Sequence, residues 1–222
     1  NKSSQTLYAS KLSSSISIEK KTPYIWDLII GINHVYYNED DTKNTESQFK
    51  NLNNIGFIIG AQIDKRDKEI NTNSGYFNML KLNITSEQTN ISNDIRYFHP
   101  LTPSDNIASR IYLGQNITES QHIMYLEEAG GYTYLRGYKT GVFVNKFIGF
   151  AQLEWRKKIT SWYTLTPFIE IGSIGASPTR QTHGLFSYGI GNYFPIGRAN
   201  LRLEFAIAES NTGFYFGFNH VF

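Results

Sequence analysis

Leu201, Leu203, Phe205 and Ile207 alternate without a break with Arg202, Glu204, Ala206 and Ala208. A period of two belongs to a strand with unlike faces, since a helix would scatter those residues around its axis. The same period recurs along the chain. Trp26, Leu28, Ile30 and Ile32 oppose Asp27, Gly31 and Asn33, and Ile55, Phe57, Ile59 and Ile63 oppose Gly56, Gly60 and Gln62. Tyr76, Leu80, Leu82 and Ile84 share a face, Ile91, Ile95 and Tyr97 oppose Asp94 and Arg96, and Ile107, Ile111 and Leu113 oppose Arg110. Phe147, Leu153 and Trp155 oppose Phe150, Gln152, Glu154 and Arg156, and Tyr163, Leu165, Ile169 and Ile171 oppose Thr164, Thr166, Phe168, Glu170 and Gly172. Residues 188–194 form a glycine-bearing strand, and Phe214, Phe216, Phe218, His220 and Phe222 oppose Tyr215, Gly217, Asn219 and Val221. The reading is all-β, with ten clear strands and a weaker one at 7–18, where Tyr8, Leu12, Ile16 and Ile18 alternate among serines.

The second face decides what surrounds these strands. A soluble sandwich also alternates, but its polar face meets water and accepts lysine and glutamate freely, on strands of about five or six residues. Here many strands run for about 9 to 13 residues, the length that crosses a tilted ~30 Å hydrocarbon layer. Their apolar faces carry aromatics, and the opposite faces mix Gly, Ala, Asn and isolated Arg, Asp or Glu, as a lumen would. No apolar run approaches the ~20 residues of a membrane helix, and lipid otherwise admits only closed barrels, because unpaired backbone groups cost too much there. The expected fold is a transmembrane antiparallel up-and-down β-barrel with 10 to 12 strands in this chain. Residues 25–222 form the barrel domain and residues 1–24 an N-terminal tail or extra strand. An even strand count would place both termini on one side, with 1–22 as a tail or plug. Eleven would place Asn1 on the far side and suggest part of a larger barrel.

Composition removes several chemistries. With no cysteine among 222 residues there is no disulfide, thiolate metal site or cysteine nucleophile. A formal charge of +2, from 21 basic and 19 acidic side chains, gives no nucleic-acid footprint. His34, His99, His122, His183 and His220 have no ligand spacing, and neither a Gly-x-Ser-x-Gly elbow nor a His-Glu-x-x-His run is present. No cofactor, metal or enzymatic activity is expected. Nor does any signal pattern open the chain at Asn1, which reads as a mature or trimmed product.

One stretch of the second half does not alternate. Residues 117–144 form a long loop carrying Gly130-Gly131-Tyr132-Thr133-Tyr134-Leu135-Arg136-Gly137-Tyr138, and five strands follow it. An arginine inside a narrow, partly dewatered lumen needs carboxylates, and its planar fork suits them. Glu154 and Glu170 lie on adjacent strands and both alternate inward, so they can converge on Arg136. In the alternative, Arg136 sits at a solvated tip and the two glutamates pair with Arg156, Arg202 or Arg110.

These motifs resemble the C-terminal part of the barrel shared by the outer-membrane assembly and secretion superfamily. That group includes the BamA, TamA and two-partner-secretion transporter barrels and barrels fused to patatin-like lipases, the bacterial surface antigen type. In it, a loop with an Arg-Gly-aromatic tip enters the lumen and five strands follow, which Arg136-Gly137-Tyr138 and the glycine pair Gly130-Gly131 match. The family's Phe-x-Asp-x-Gly strand corresponds to Phe168-Ile169-Glu170-Ile171-Gly172, with Glu170 for the usual Asp, and Gly149 with Glu154 fits the strand before. Asp64-Lys65-Arg66-Asp67 followed by Gly75 resembles its Asp-x-Arg-Asp periplasmic turn, and Phe218 and Phe222 resemble its C-terminal assembly signal. The resemblance covers residues 55–222 well and 25–54 by spacing only. It implies a bacterial outer-membrane location, lipid contact, and a client or passenger protein as partner. The function it implies is assistance to proteins entering or crossing that membrane, through a weakly closed seam between first and last strands and a gating loop. Alternatives are the anchor or translocator of a patatin-like fusion, or a passive small pore or structural barrel.

Overall fold

The structure, a computed structural model, describes residues 9–22, 26–39, 51–118, 122, 125–197, 199–209, 211–219 and 222. The strands are β1 (Ala9–Lys20), β2 (Asp27–Glu39), β3 (Leu52–Asp64), β4 (Gly75–Thr85), β5 (Thr89–Thr102), β6 (Asp105–Asn116), β7 (Glu127–Ala129), β8 (Phe143–Asn145), β9 (Phe147–Thr160), β10 (Tyr163–Ser177), β11 (Arg180–Ile196), β12 (Ala199–Ala208) and β13 (Thr212–Phe218). Eleven of them form one antiparallel sheet in chain order, with β6 paired directly to β9. The other two, β7 and β8, make a small hairpin inside the 117–146 loop. Five strands of the sheet follow that loop. Residues 9–20, read above as a tail or extra strand, pair along their whole length with β2. Of the polar run 38–51, which reads as a solvent loop, residues 40–50 lie outside the described residues.

The sheet is strongly curled. β4 and β12 are six strand spacings apart in the order β4-β5-β6-β9-β10-β11-β12, or ~29 Å on a flat sheet at ~4.8 Å per strand. Yet the Asn200 side-chain amide at the start of β12 donates to the side-chain oxygen of Asn71 in the β3–β4 turn. Within the loop, the Tyr125 hydroxyl accepts from Asn54 Nδ2 on β3 at 2.7 Å, while Gly137 N donates to the Tyr215 hydroxyl on β13 at 2.8 Å. A loop bonded to both β3 and β13 spans the concave side of an up-and-down barrel wall. Among the described residues β1 and β13 each have one strand partner.

Burial is inverted relative to a water-soluble fold. Ile16, Ile18 and Phe214 are 81%, 75% and 71% exposed, whereas Arg136, Glu154, Glu170 and Glu204 are 0–1% exposed. A monomer in water rarely leaves so continuous an apolar wall uncovered, and charged groups are almost never fully buried unless paired. The interior itself has two parts. Near β2–β4 it is lined by glycines and amides such as Gly31, Asn33 and Gly56, and under β9–β13 by ionised side chains. The apolar core sits where the loop meets the wall: Ala129, Leu135 and Tyr138 of the loop pack on Ile148, Phe150, Ile174, Leu185 and Ala208.

One sequence expectation fails here. Alternation put Phe222 on the same outward face as Phe218. Phe218 is exposed, but Phe222 is buried against Phe98 and Ala108, and its carbonyl accepts from Arg156 Nη2 at 2.9 Å. The cause is local. β13 ends at Phe218, and Asn219 takes φ +62, a left-handed conformation that asparagine tolerates, which breaks the two-residue period.

Candidate functional site

Glycines let the loop turn back on itself. Gly130 and Gly131 have φ +111 and +83, and a Cβ on Gly130 would sit 2.6 Å from the Lys139 carbonyl oxygen. Only glycine occupies such positions cheaply. Gly131 N donates to the Tyr138 carbonyl at 2.9 Å, and Gly130 bridges Tyr134, so residues 130–138 form a compact tip. At its apex Leu135 (φ +53) and Gly137 (φ +95) flank Arg136 and drive its side chain into the ionised half of the interior.

Three carboxylates from three strands meet that guanidinium. Nε lies 2.7 Å from Glu170 Oε1 on β10, Nη1 2.6 Å from Glu204 Oε1 on β12, and Nη2 3.0 Å from Glu154 Oε1 on β9. The backbone N of Arg136 also donates to Glu170 Oε2 at 2.5 Å, so Glu170 holds both main chain and side chain of the tip. The Glu154 contact is an ion pair without hydrogen-bond alignment, as Nη2 and Oε1 have no hydrogen-bond partner. Beneath the fork, the Phe168 ring centroid lies 3.4 Å from the guanidinium carbon, a cation–π stack.

Each carboxylate has further support. Gln152 Nε2 and Ser187 Oγ donate to Glu170 at 2.8 and 2.9 Å, and the Tyr193 hydroxyl donates to Glu204 at 2.7 Å. Arg156 Nε donates to Glu154 at 2.9 Å, and Arg202 lies 3.5 Å from Glu204. Arg136, Arg156 and Arg202 therefore balance Glu154, Glu170 and Glu204. A dry site tolerates ions when charge and hydrogen bonds are both met.

Two more contacts dock the tip. The Tyr138 hydroxyl donates to the Phe186 carbonyl at 2.9 Å and accepts from Phe186 N at 3.0 Å. β12 pairs with β11 only as far as Ser187, so Tyr138 satisfies the first backbone groups of β11 beyond the end of its neighbour. Farther back, Arg110 binds Asp94 through Nε and Nη2 at 3.0 and 2.9 Å and donates to the Thr133 carbonyl at 3.3 Å.

The sequence-derived residues fall as follows. Glu154, Phe168 and Glu170 surround Arg136 directly. Gly172 does not touch it: a Cβ there would meet Leu135 Cδ1 at 2.8 Å and Phe150 Cβ at 2.9 Å, so this glycine makes room for the tip's apolar neighbour. Arg156 and Arg202, weighed above as competing partners, join the same network while Arg136 stays buried. Glu204, which binds Arg136, and Tyr193, Ser187 and Gln152, which donate to Glu204 and Glu170, are not among the partners that the sequence assigns to the tip. Their signal was present, since Glu204 alternates inward on its strand, but only the curl of the wall brings β12 to the tip. Arg66 and Asp67 lie at the other end of the barrel, in the β3–β4 turn, with Asp64 closing β3 and Gly75 opening β4 on either side of it. Among the described residues no group of histidine and carboxylate side chains is placed to hold a metal ion.

No family model and no curated relative matches this sequence. Solved structures do match in fold. The crystal structure of BamA from Haemophilus ducreyi lacking POTRA domains 1–3 aligns with a TM-score of 0.73 over 96% of this chain, at 12% identity. The chain spans about half the length of that structure, 54%. The likeness establishes a BamA-like barrel fold.

Proposed function

We propose that this chain is an outer-membrane β-barrel of the assembly and translocation superfamily, which helps proteins insert into or cross the bacterial outer membrane. The observation that carries the reading is the loop tip. Arg136 is buried on Glu154, Glu170 and Glu204 ahead of the last five strands of a barrel whose fold is similar to that of BamA. The apolar outer wall supports the membrane location, because exposed isoleucine and phenylalanine on strands of this length find their match in hydrocarbon. The clasped loop is then a latch: it braces the wall from inside, and its release loosens the strands that hold it. Among the described residues β1 and β13 each have one strand partner, and an edge of that kind is a template for a client strand, since unpaired N–H and C=O groups recruit extended chain.

The test is catalysed insertion. The purified chain is reconstituted into lipid vesicles, and an unfolded small outer-membrane barrel protein is added. The expected result is faster folding of that client than in empty vesicles, with the gain lost in Arg136→Ala. Equal folding rates with and without the chain refute the assembly reading.

A further inference from the structure

The strongest structure outside the loop lies at the opposite end of the barrel. Residues 65–74 connect β3 to β4, and no connection of this length is needed to reverse an antiparallel pair. The turn is rigid. Arg66 binds Asp64 through Nε and Nη2 at 2.9 and 2.6 Å, and its guanidinium carbon stands 4.8 Å from the Phe77 ring centroid. Asp67 Oδ1 accepts from Asn73 N and Ser74 N at 2.9 and 3.1 Å, and the Thr72 hydroxyl donates to the Lys68 carbonyl at 2.7 Å. Gly75 (φ +110) closes it, in a place where a Cβ would collide with the Lys65 carbonyl oxygen at 2.1 Å.

The turn does not project into solvent. Asn106 Nδ2 on β6 donates to the Thr72 and Asn73 carbonyls at 2.9 and 3.3 Å, and Asn200 on β12 donates to Asn71. Thr72 is consequently buried, although it sits near the tip of a turn whose neighbours Lys68, Glu69 and Asn73 are exposed. Asn200 is itself fixed, since its carbonyl accepts from Asn219 N at 2.7 Å. Asn106 lies two strands from β4 and Asn200 six, and both contacts are amide hydrogen bonds, each modest in net worth.

We infer that residues 65–74 form a strap across the turn end of the barrel, fastened by Asn106 and Asn200, which closes the interior on the side opposite the Arg136 latch. The inference rests on the barrel reading and on no particular client. Because the strap is rigid internally and weakly fastened at its far side, it swings as a unit when those two amides are removed.

The chain has no cysteine, so single thiols can be placed freely. In vesicle-reconstituted protein, Thr72→Cys is expected to react with a charged maleimide at least about tenfold more slowly than Lys68→Cys, as buried positions require opening before reaction. Adding Asn106→Ala and Asn200→Ala should bring the two rates together. An Asn71→Cys/Asn200→Cys pair should be joined within one chain by a short bismaleimide, in protein that still shows the heat-shifted band of a folded barrel. If the release variant fails to fold, the cysteine pair and the Thr72→Cys rate decide alone. Equal rates for Thr72→Cys and Lys68→Cys in otherwise unaltered folded protein, or no cross-link, overturn the strap and leave the barrel standing. Failure of every variant to enter lipid overturns the barrel reading and the strap with it.

Discussion

Replacing Arg136 by alanine removes one of three cations that balance three buried carboxylates, so the network moves from neutral to one net negative charge. The side chain makes three contacts of 3.0 Å or less to Glu154, Glu170 and Glu204 and covers the Phe168 ring. Removing one partner of a dry ion cluster costs about 3–5 kcal/mol, most of it the penalty of stranded charge. That origin predicts a partial rescue. Arg136→Ala combined with Glu170→Gln restores neutrality, and the double variant should be less destabilised than the two single effects added, with a coupling of about 1–3 kcal/mol. The assay is urea unfolding in vesicles, followed by the fluorescence of the three tryptophans and by the heat-shifted band. Trypsin gives an independent readout at Lys139, an exposed residue beside the tip, whose cleavage should accelerate when the tip leaves its pocket. An Arg136→Ala protein with an unchanged unfolding midpoint and unchanged cleavage at Lys139 refutes the latch. Strict additivity of the double variant refutes the charge argument while leaving the docking of the tip in place.

Three further outcomes follow from the same geometry. Tyr215→Phe removes the acceptor for Gly137 N and should cost about 1–3 kcal/mol, as an N–H is left unpaired; a stability change within measurement error contradicts the docking of the tip on β13. Gly172→Val drives a side chain into Leu135 and Phe150 and should cost about 1–3 kcal/mol by overpacking, with faster loop cleavage, whereas a neutral effect argues that Leu135 packs elsewhere. Glu127, in the loop hairpin, is held by the Asn90 side-chain amide. Burial, the largest influence, raises its carboxyl above the ordinary 4.5, against the Asn90 hydrogen bond and nearby Lys81. A raised acid favours the folded loop when protonated, so loop protection should be fullest below the ordinary value and decline as pH rises through the shifted one; Glu127→Gln should flatten that profile, and an identical pH dependence in the variant rules Glu127 out as its source.

Strand order, the outward apolar wall and the loop position were legible in the sequence because period-two alternation is local and needs no tertiary information. Arg136 with Glu154 and Glu170 was legible for a related reason, as the two glutamates fall on the next two strands. Glu204 was not, because its distance from the tip depends on wall curvature, which no spacing along the chain encodes. Phe222 failed differently: one left-handed residue, Asn219, ended the period that alternation assumed to continue. Residues 9–20 gave a faint signal because five of their residues are serines and one apolar position in the even series is Ser14, yet backbone pairing with β2 needs no apolar side chain. Gly172 was noticed in the sequence, but its reason, clearance for Leu135, belongs to packing alone.

Arg136 holds the loop tip inside the barrel, which fixes the distance from loop to wall. Spin labels at Lys139→Cys, beside the tip, and Glu209→Cys, at the end of β12, report that distance in vesicle-reconstituted protein. A single narrow distribution that broadens in Arg136→Ala is the predicted result. A broad distribution with Arg136 in place, or a narrow one that survives its removal, contradicts the claim.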